Sequence, residues 1–89
     1  MVVLQKAFIL IKAAPGHEEY IIDHLMKIPD VKEVHIIPGV WDILAVVSTP
    51  KEIALPSDEK IYRLVLQKVM RIKHVQDTNT MVSQFSRTK

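Results

Sequence analysis

A chain of 89 residues with no cysteine and a formal net charge of +2 excludes several classes of protein. The length suits one domain with its own core, and without cysteine there is neither a disulfide framework nor a thiolate metal site, so a cytoplasmic protein is expected. The small excess of Lys and Arg gives no argument for nucleic-acid binding, and no apolar run reaches the roughly 18 residues that predict a membrane span.

The first two predicted elements are an apolar strand and an amphipathic helix. Residues 2–13 are almost continuously apolar, which predicts a strand covered on both faces, and Pro15-Gly16 ends it. Residues 17–19, His-Glu-Glu, open a helix with two acids in its first turn, where the helix dipole favours negative charge. Four apolar residues at helical spacing predict its buried stripe: Ile21, Ile22, Leu25 and Met26.

A β-hairpin is predicted over residues 31–47. Pro38 and Gly39 separate its strands, 31–37 and 43–47, and they predict a turn because Pro fixes φ and Gly permits positive φ. The first strand alternates between apolar and polar residues, which suits the edge of a sheet. The second strand is apolar throughout, which suits its centre.

The second half of the chain is predicted to add a helix and a strand. Residues 48–55 are expected to form a connection, and the helix begins after Pro56, with Ser57 as its cap. A last strand is predicted over residues 78–85, followed by a polar tail over residues 86–89. The apolar stripe of the second helix consists of Ile61, Val65, Val69 and Ile72.

The order β-α-β-β-α-β predicts a single α+β domain over residues 1–89 with the ferredoxin-like fold. Such a sheet is antiparallel, has four strands in the order 4-1-3-2, and carries both helices on one face. The two most apolar strands, the first and the third, are the central ones in this order. The uncovered face would therefore expose apolar side chains, and we expect a second copy of the chain to cover it around a two-fold axis.

The turn and the last strand carry the groups that suit a small-molecule site. Backbone N–H groups around Gly39 suit a carboxylate, Asp42 can accept from an ammonium group, and Trp41 can supply an apolar wall. The hydroxyls of Thr78 and Thr80 can donate or accept. These are the requirements of a free amino acid. The alternative is structural: Asp42 hydrogen-bonds its own turn, the threonines are an ordinary edge-strand pair, and Trp41 belongs to an interface.

Enzymatic function is disfavoured, because no nucleophile–base arrangement and no glycine-rich phosphate loop is present. Neither a metal site nor a cofactor is expected. His17 and His24 lie seven residues apart instead of the four that a helical metal pair needs, and we expect both on a solvated helix surface. A small ferredoxin-like oxygenase or isomerase stays open as an alternative, with His35 or His74 as its candidate.

Two binding alternatives also remain. RNA-binding domains of this topology stack bases on aromatic residues of the central strands, and here only Phe8 and Trp41 are offered, which disfavours that function. A ring or dimer that docks partners along its sheet edge without any ligand is the second alternative.

Several short motifs, in this order and spacing, resemble the effector-binding domain of the Lrp/AsnC family. The hairpin segment 38–43 reads Pro-Gly-Val-Trp-Asp-Ile, and His74-Val75 is followed by Thr-Asn-Thr over residues 78–80. Pro15-Gly16 before the first helix and Ile28-Pro29-x-Val31 after it fit the same family. The resemblance extends over residues 4–85.

The resemblance implies a transcription-regulation module that dimerises through open sheet faces and assembles further into an octamer or decamer. It also implies that an amino acid or related small molecule binds between dimers. By position, the ligand-binding residues are Gly39, Val40, Trp41 and Asp42 of one chain with Thr78, Asn79 and Thr80 of a neighbour. Full-length members carry a helix-turn-helix before this domain, and Met1 here directly precedes the first strand. We therefore expect the stand-alone form, which binds no DNA by itself and associates with full-length Lrp/AsnC regulators.

Overall fold

The computed structural model describes residues 4–50, 57–83, 87 and 89, with the backbone alone at 57 and 58. Its elements in chain order are β1 (Leu4–Ala13), α1 (Glu18–Leu25), β2 (Val31–Ile36), β3 (Ile43–Pro50), α2 (Ser57–Leu64), a π-helical turn (Val65–Val69) and β4 (Val75–Val82). The strands are antiparallel and run β2-β3-β1-β4 across the sheet. This is the predicted ferredoxin-like order, 4-1-3-2 in the opposite direction.

One aliphatic core joins the sheet to both helices. Alternate residues of β1 face it, so that Ile9 and Ile11 are fully buried. Ile21 of α1 and Ile61 of α2 belong to the same cluster, which places both helices on one face of the sheet. All four residues of the predicted second stripe are buried: Ile61, Val65, Val69 and Ile72.

The first helix buries a narrower stripe than its sequence predicts. Ile21 and Leu25 are fully buried, whereas Met26 is 55% exposed. The helix has only eight residues and Met26 follows its last one. A helix of this length can direct only one pair of residues at i and i+4 into the core, here Ile21 and Leu25.

Two strand boundaries differ from the prediction. β3 continues to Pro50, three residues into the predicted connection, because it pairs with the start of β1 as far as Leu4. β4 begins at Val75 instead of residue 78, because Val75 pairs with Ala13 beyond a register shift. The predicted strand residues 2, 3, 84 and 85 and most of the predicted connection lie outside the described residues, as do Pro56 and the Ser57 cap.

The second face of the sheet has an apolar centre and carries neither helix. The strand registers place five apolar side chains on it, from three strands: Phe8, Leu10, Leu44, Val46 and Met81. Met81 is 47% exposed, and Leu10 pairs directly with Leu44 at the centre of the face. In the described parts of the chain, no helix is long and apolar enough to span a bilayer.

Candidate functional site

The turn between β2 and β3 has the predicted geometry. The Ile37 N–H donates to the Asp42 carbonyl at 2.9 Å, which closes the turn. Gly39 has a φ of +124°, a conformation that L side chains rarely adopt. Val40 projects from the tip and is 77% exposed.

Asp42 ties this turn to the end of β1. Its Oδ2 accepts the Ala13 N–H at 2.9 Å, and its own N–H donates to the Ile11 carbonyl at 3.0 Å. The alternative of a carboxylate bonded within its own turn is therefore wrong, since the partner is in another strand. Within the described part of the chain, Oδ1 has no hydrogen-bond partner, so half of this half-buried carboxylate is available to a ligand.

Three successive backbone donors directly precede Asp42 in the chain. The N–H groups of Gly39, Val40 and Trp41 find no acceptor among the residues that the structure describes. Successive free amides form a site for a small anion. The turn thus offers donors for a carboxylate beside an acceptor for an ammonium group, and the Trp41 side chain is half-buried next to them.

A cavity of about 460 Å³ opens on the helix side of the turn. Its lining consists of Gly16, Glu18, Glu19, Ile36, Ile37, Pro38 and Asp42. Three of these residues are acidic, which favours a cationic group inside. Sequence reasoning missed Glu18 and Glu19 because two acids at a helix start are explained by the helix dipole. The positions of Glu18 and Glu19 in the sequence do not indicate that the hairpin lines the same cavity.

The threonine segment lines a different cavity. Thr78, Asn79 and Thr80 border about 480 Å³ together with residues of α2 and the π-helical turn: Tyr62, Val65, Leu66 and Met70. β1 lies between β4 and the hairpin of β2 and β3, and the two groups of predicted site residues line separate cavities within one chain.

Strand alternation divides the threonine segment. Thr78 and Thr80 pair with Ile11 and Ile9 and share their helix-side face, whereas Asn79 pairs with Leu10 on the apolar open face. The three side chains therefore point to both sides of the sheet. The two threonine hydroxyls can therefore bind a ligand only from the helix side of the sheet.

Three histidines and a tyrosine form a separate cluster where α1 and β4 begin. The rings of His17 and His74 stack with centroids 3.6 Å apart, and Tyr20 meets His74 edge-on at 5.3 Å. Tyr20 also contacts His24, whose Nδ1 lies 2.8 Å from the Tyr20 carbonyl oxygen. His17 is half-buried and stacked on His74, a contact that its sequence position does not predict. The described residues contain no group of three ligands that could hold a metal ion.

This cluster predicts a pH-dependent stability. Partial removal from water, and then the positive charges of His17 and Lys73, lower the pKa of His74 below its ordinary value of 6.5. The unfolded chain then binds a proton more readily than the folded chain, so the free energy of unfolding falls as the pH decreases through 6.5. Urea unfolding at pH 7.5 and 5.5 measures this slope.

The matched variants are His17→Asn, which removes the charged neighbour, and His35→Gln, which removes an exposed histidine outside the cluster. We expect a shallower pH slope for His17→Asn and the wild-type slope for His35→Gln. Equal slopes for all three proteins would contradict the role of the stack.

Comparisons with known proteins agree with this architecture. A family model described as the Lrp/AsnC ligand binding domain matches residues 6–88. An uncharacterised HTH-type transcriptional regulator of Pyrococcus furiosus is 36% identical over 80 residues, which cover 86% of this chain and 49% of the relative. The chain thus spans about half the length of the curated relatives it matches. Those relatives are named as regulators of transcription and not as enzymes.

Solved structures show the same fold. The crystal structure of FFRP-DM1 is 28% identical with a TM-score of 0.75, covering 93% of this chain and 99% of that chain. A transcriptional regulator of Neisseria meningitidis, solved as a complex with L-Met, is 17% identical with a TM-score of 0.78. The likeness covers 96% of this chain and 53% of that regulator, and at this identity it shows the fold alone.

Proposed function

Because this chain belongs to the Lrp/AsnC ligand-binding domain family, we propose that it is an amino-acid-sensing module for transcription control in the cytoplasm. The observation that carries the proposal is the pairing of donors and acceptor in one turn. Three backbone N–H groups over residues 39–41, free among the described residues, immediately precede Asp42, whose Oδ1 is available. A zwitterionic amino acid presents both complementary groups, a carboxylate and an ammonium group, on a single carbon.

In the proposed site, each chain supplies half of the contacts. Gly39, Val40, Trp41 and Asp42 of one chain bind the carboxylate and ammonium groups, and the acidic cavity beside Asp42 reinforces ammonium binding. The hydroxyls of Thr78 and Thr80 from a neighbouring chain complete it, and Asn79 lies on the face where chains pair. Because these two groups line separate cavities of one chain, a site that contains both requires two chains.

The apolar open face supports the proposed dimer, and further association of dimers into a ring of eight or ten chains creates the shared sites. A regulator that contains the same domain would present the same face, so hetero-association with DNA-binding family members is the proposed route to transcription. The ligand acts by binding one assembly state better than another, since a tenfold preference contributes about 1.4 kcal/mol per site.

Native mass spectrometry of the purified chain, titrated with the twenty amino acids, tests the proposal. We expect an even-numbered assembly that binds one amino acid in stoichiometric amounts, up to one per chain. Small molecules related to amino acids are titrated in the same way. A dimer that binds none of them would favour the ligand-free docking alternative.

A further inference from the structure

A third concave site lies where the end of α1 meets the end of the π-helical turn. It encloses about 420 Å³ and is bordered by four cationic side chains: Lys27, Lys68, Arg71 and Lys73. Tyr20 and His24 form part of its wall. No carboxylate belongs to its lining, in contrast to the acidic cavity beside Asp42.

These four cations have no ion-pair partner among the described residues. Asp23 of α1 lies four residues before Lys27, which follows the helix, and the two form no ion pair. Asp30 borders the neighbouring cavity that Lys68 also lines, again without an ion pair. For a chain whose net charge is +2, this is an uneven accumulation of positive charge.

The dipoles of the helix ends account for only a part of this positive charge. Lys27 follows α1, and Lys68, Arg71 and Lys73 surround the end of the π-helical turn, where cations are favourable. Two helix C-termini together carry a charge of about −1. Four cations exceed that charge several-fold, so most of their charge is left for an anion.

The wall of the cleft can recognise a planar ring. Tyr20 is 39% exposed, and its ring contacts His24 with centroids 4.2 Å apart. Ile28 and Ile72, both buried in the core, form the apolar floor beside them. Nucleic-acid bases stack on exposed aromatic side chains of this kind.

We propose that this basic cleft binds a small phosphorylated ligand of the nucleotide class, with its phosphates on Lys68 and Arg71 and its base against Tyr20. Arg and Lys are the side chains that bind phosphate oxygens through charge-assisted hydrogen bonds. The cations surround a concavity instead of forming an extended stripe, which favours a small ligand over a nucleic-acid chain. This site is separate from the amino-acid site and does not depend on it.

The test uses ATP, tripolyphosphate and adenosine as probes in isothermal titration calorimetry with the full chain. We expect saturable binding of ATP that weakens at high salt, and at least about ten-fold weaker binding by the Lys68→Gln/Arg71→Gln variant. The control, Lys32→Gln/Arg63→Gln, removes the same charge outside the cleft and should bind ATP like wild type. Tyr20→Leu should weaken ATP but leave tripolyphosphate unchanged.

Circular dichroism confirms that each variant is folded before titration. No saturable binding of ATP, equal losses in both double variants, or binding of long duplex DNA without ATP binding would each overturn the proposal. Amino-acid binding in the same preparation, measured separately, should be unaffected by Lys68→Gln/Arg71→Gln. The two sites can therefore fail independently.

Discussion

Asp42→Asn is expected to abolish most amino-acid binding without unfolding the protein. The Asn side-chain oxygen can still accept the Ala13 N–H, so the bond that ties the turn to β1 is retained. The negative charge that faces the ligand's ammonium group is lost, and a hydrogen bond to a charged group contributes about 1.5–3 kcal/mol, so affinity should fall about ten- to hundred-fold. Calorimetric titration with the amino acid found by mass spectrometry measures the loss.

Asp42→Ala separates the structural role of this side chain from its binding role. It leaves the Ala13 N–H without its partner, and we expect the free energy of unfolding to fall by about 1–3 kcal/mol. Asp23→Asn removes an exposed carboxylate of α1 that does not line the cavity beside Asp42, and serves as the charge control. Unchanged affinity in Asp42→Asn would remove Asp42 from the site.

Leu10→Asp is expected to convert the proposed dimer into a monomer. Leu10 lies at the centre of the apolar face, directly opposite Leu44. An unpaired carboxylate buried between two such faces costs several kcal/mol, so the dimer dissociation constant should rise by at least about 100-fold. Sedimentation velocity across a concentration series measures the change.

The matched control is Met26→Asp, which places the same charge on an exposed methionine outside the sheet. We expect it to assemble like wild type. Because the proposed effector site needs two chains, Leu10→Asp should also lose amino-acid binding. A folded Leu10→Asp protein with wild-type assembly would show that chains associate through another surface.

The sequence by itself determined the topology of this domain. Alternation and helical periodicity report burial directly, so the apolar first and third strands could be assigned to the sheet centre. The turn at Gly39 followed from its backbone freedom, and the stripe at Ile61, Val65 and Val69 from its spacing. The sequence located strand boundaries less closely, because pairing with β1 decides where β3 ends and where β4 begins.

The tertiary structure alone decided which polar groups meet. Asp42 bonds to Ala13, 29 residues away, and Glu18 and Glu19 face the same cavity. Local patterns cannot report such contacts, because they depend on how the hairpin, β1 and α1 pack together. The stacking of His17 on His74 and the gathering of cations at two helix ends have the same origin. Periodicity assigns a residue to a face, and only the fold brings two faces together.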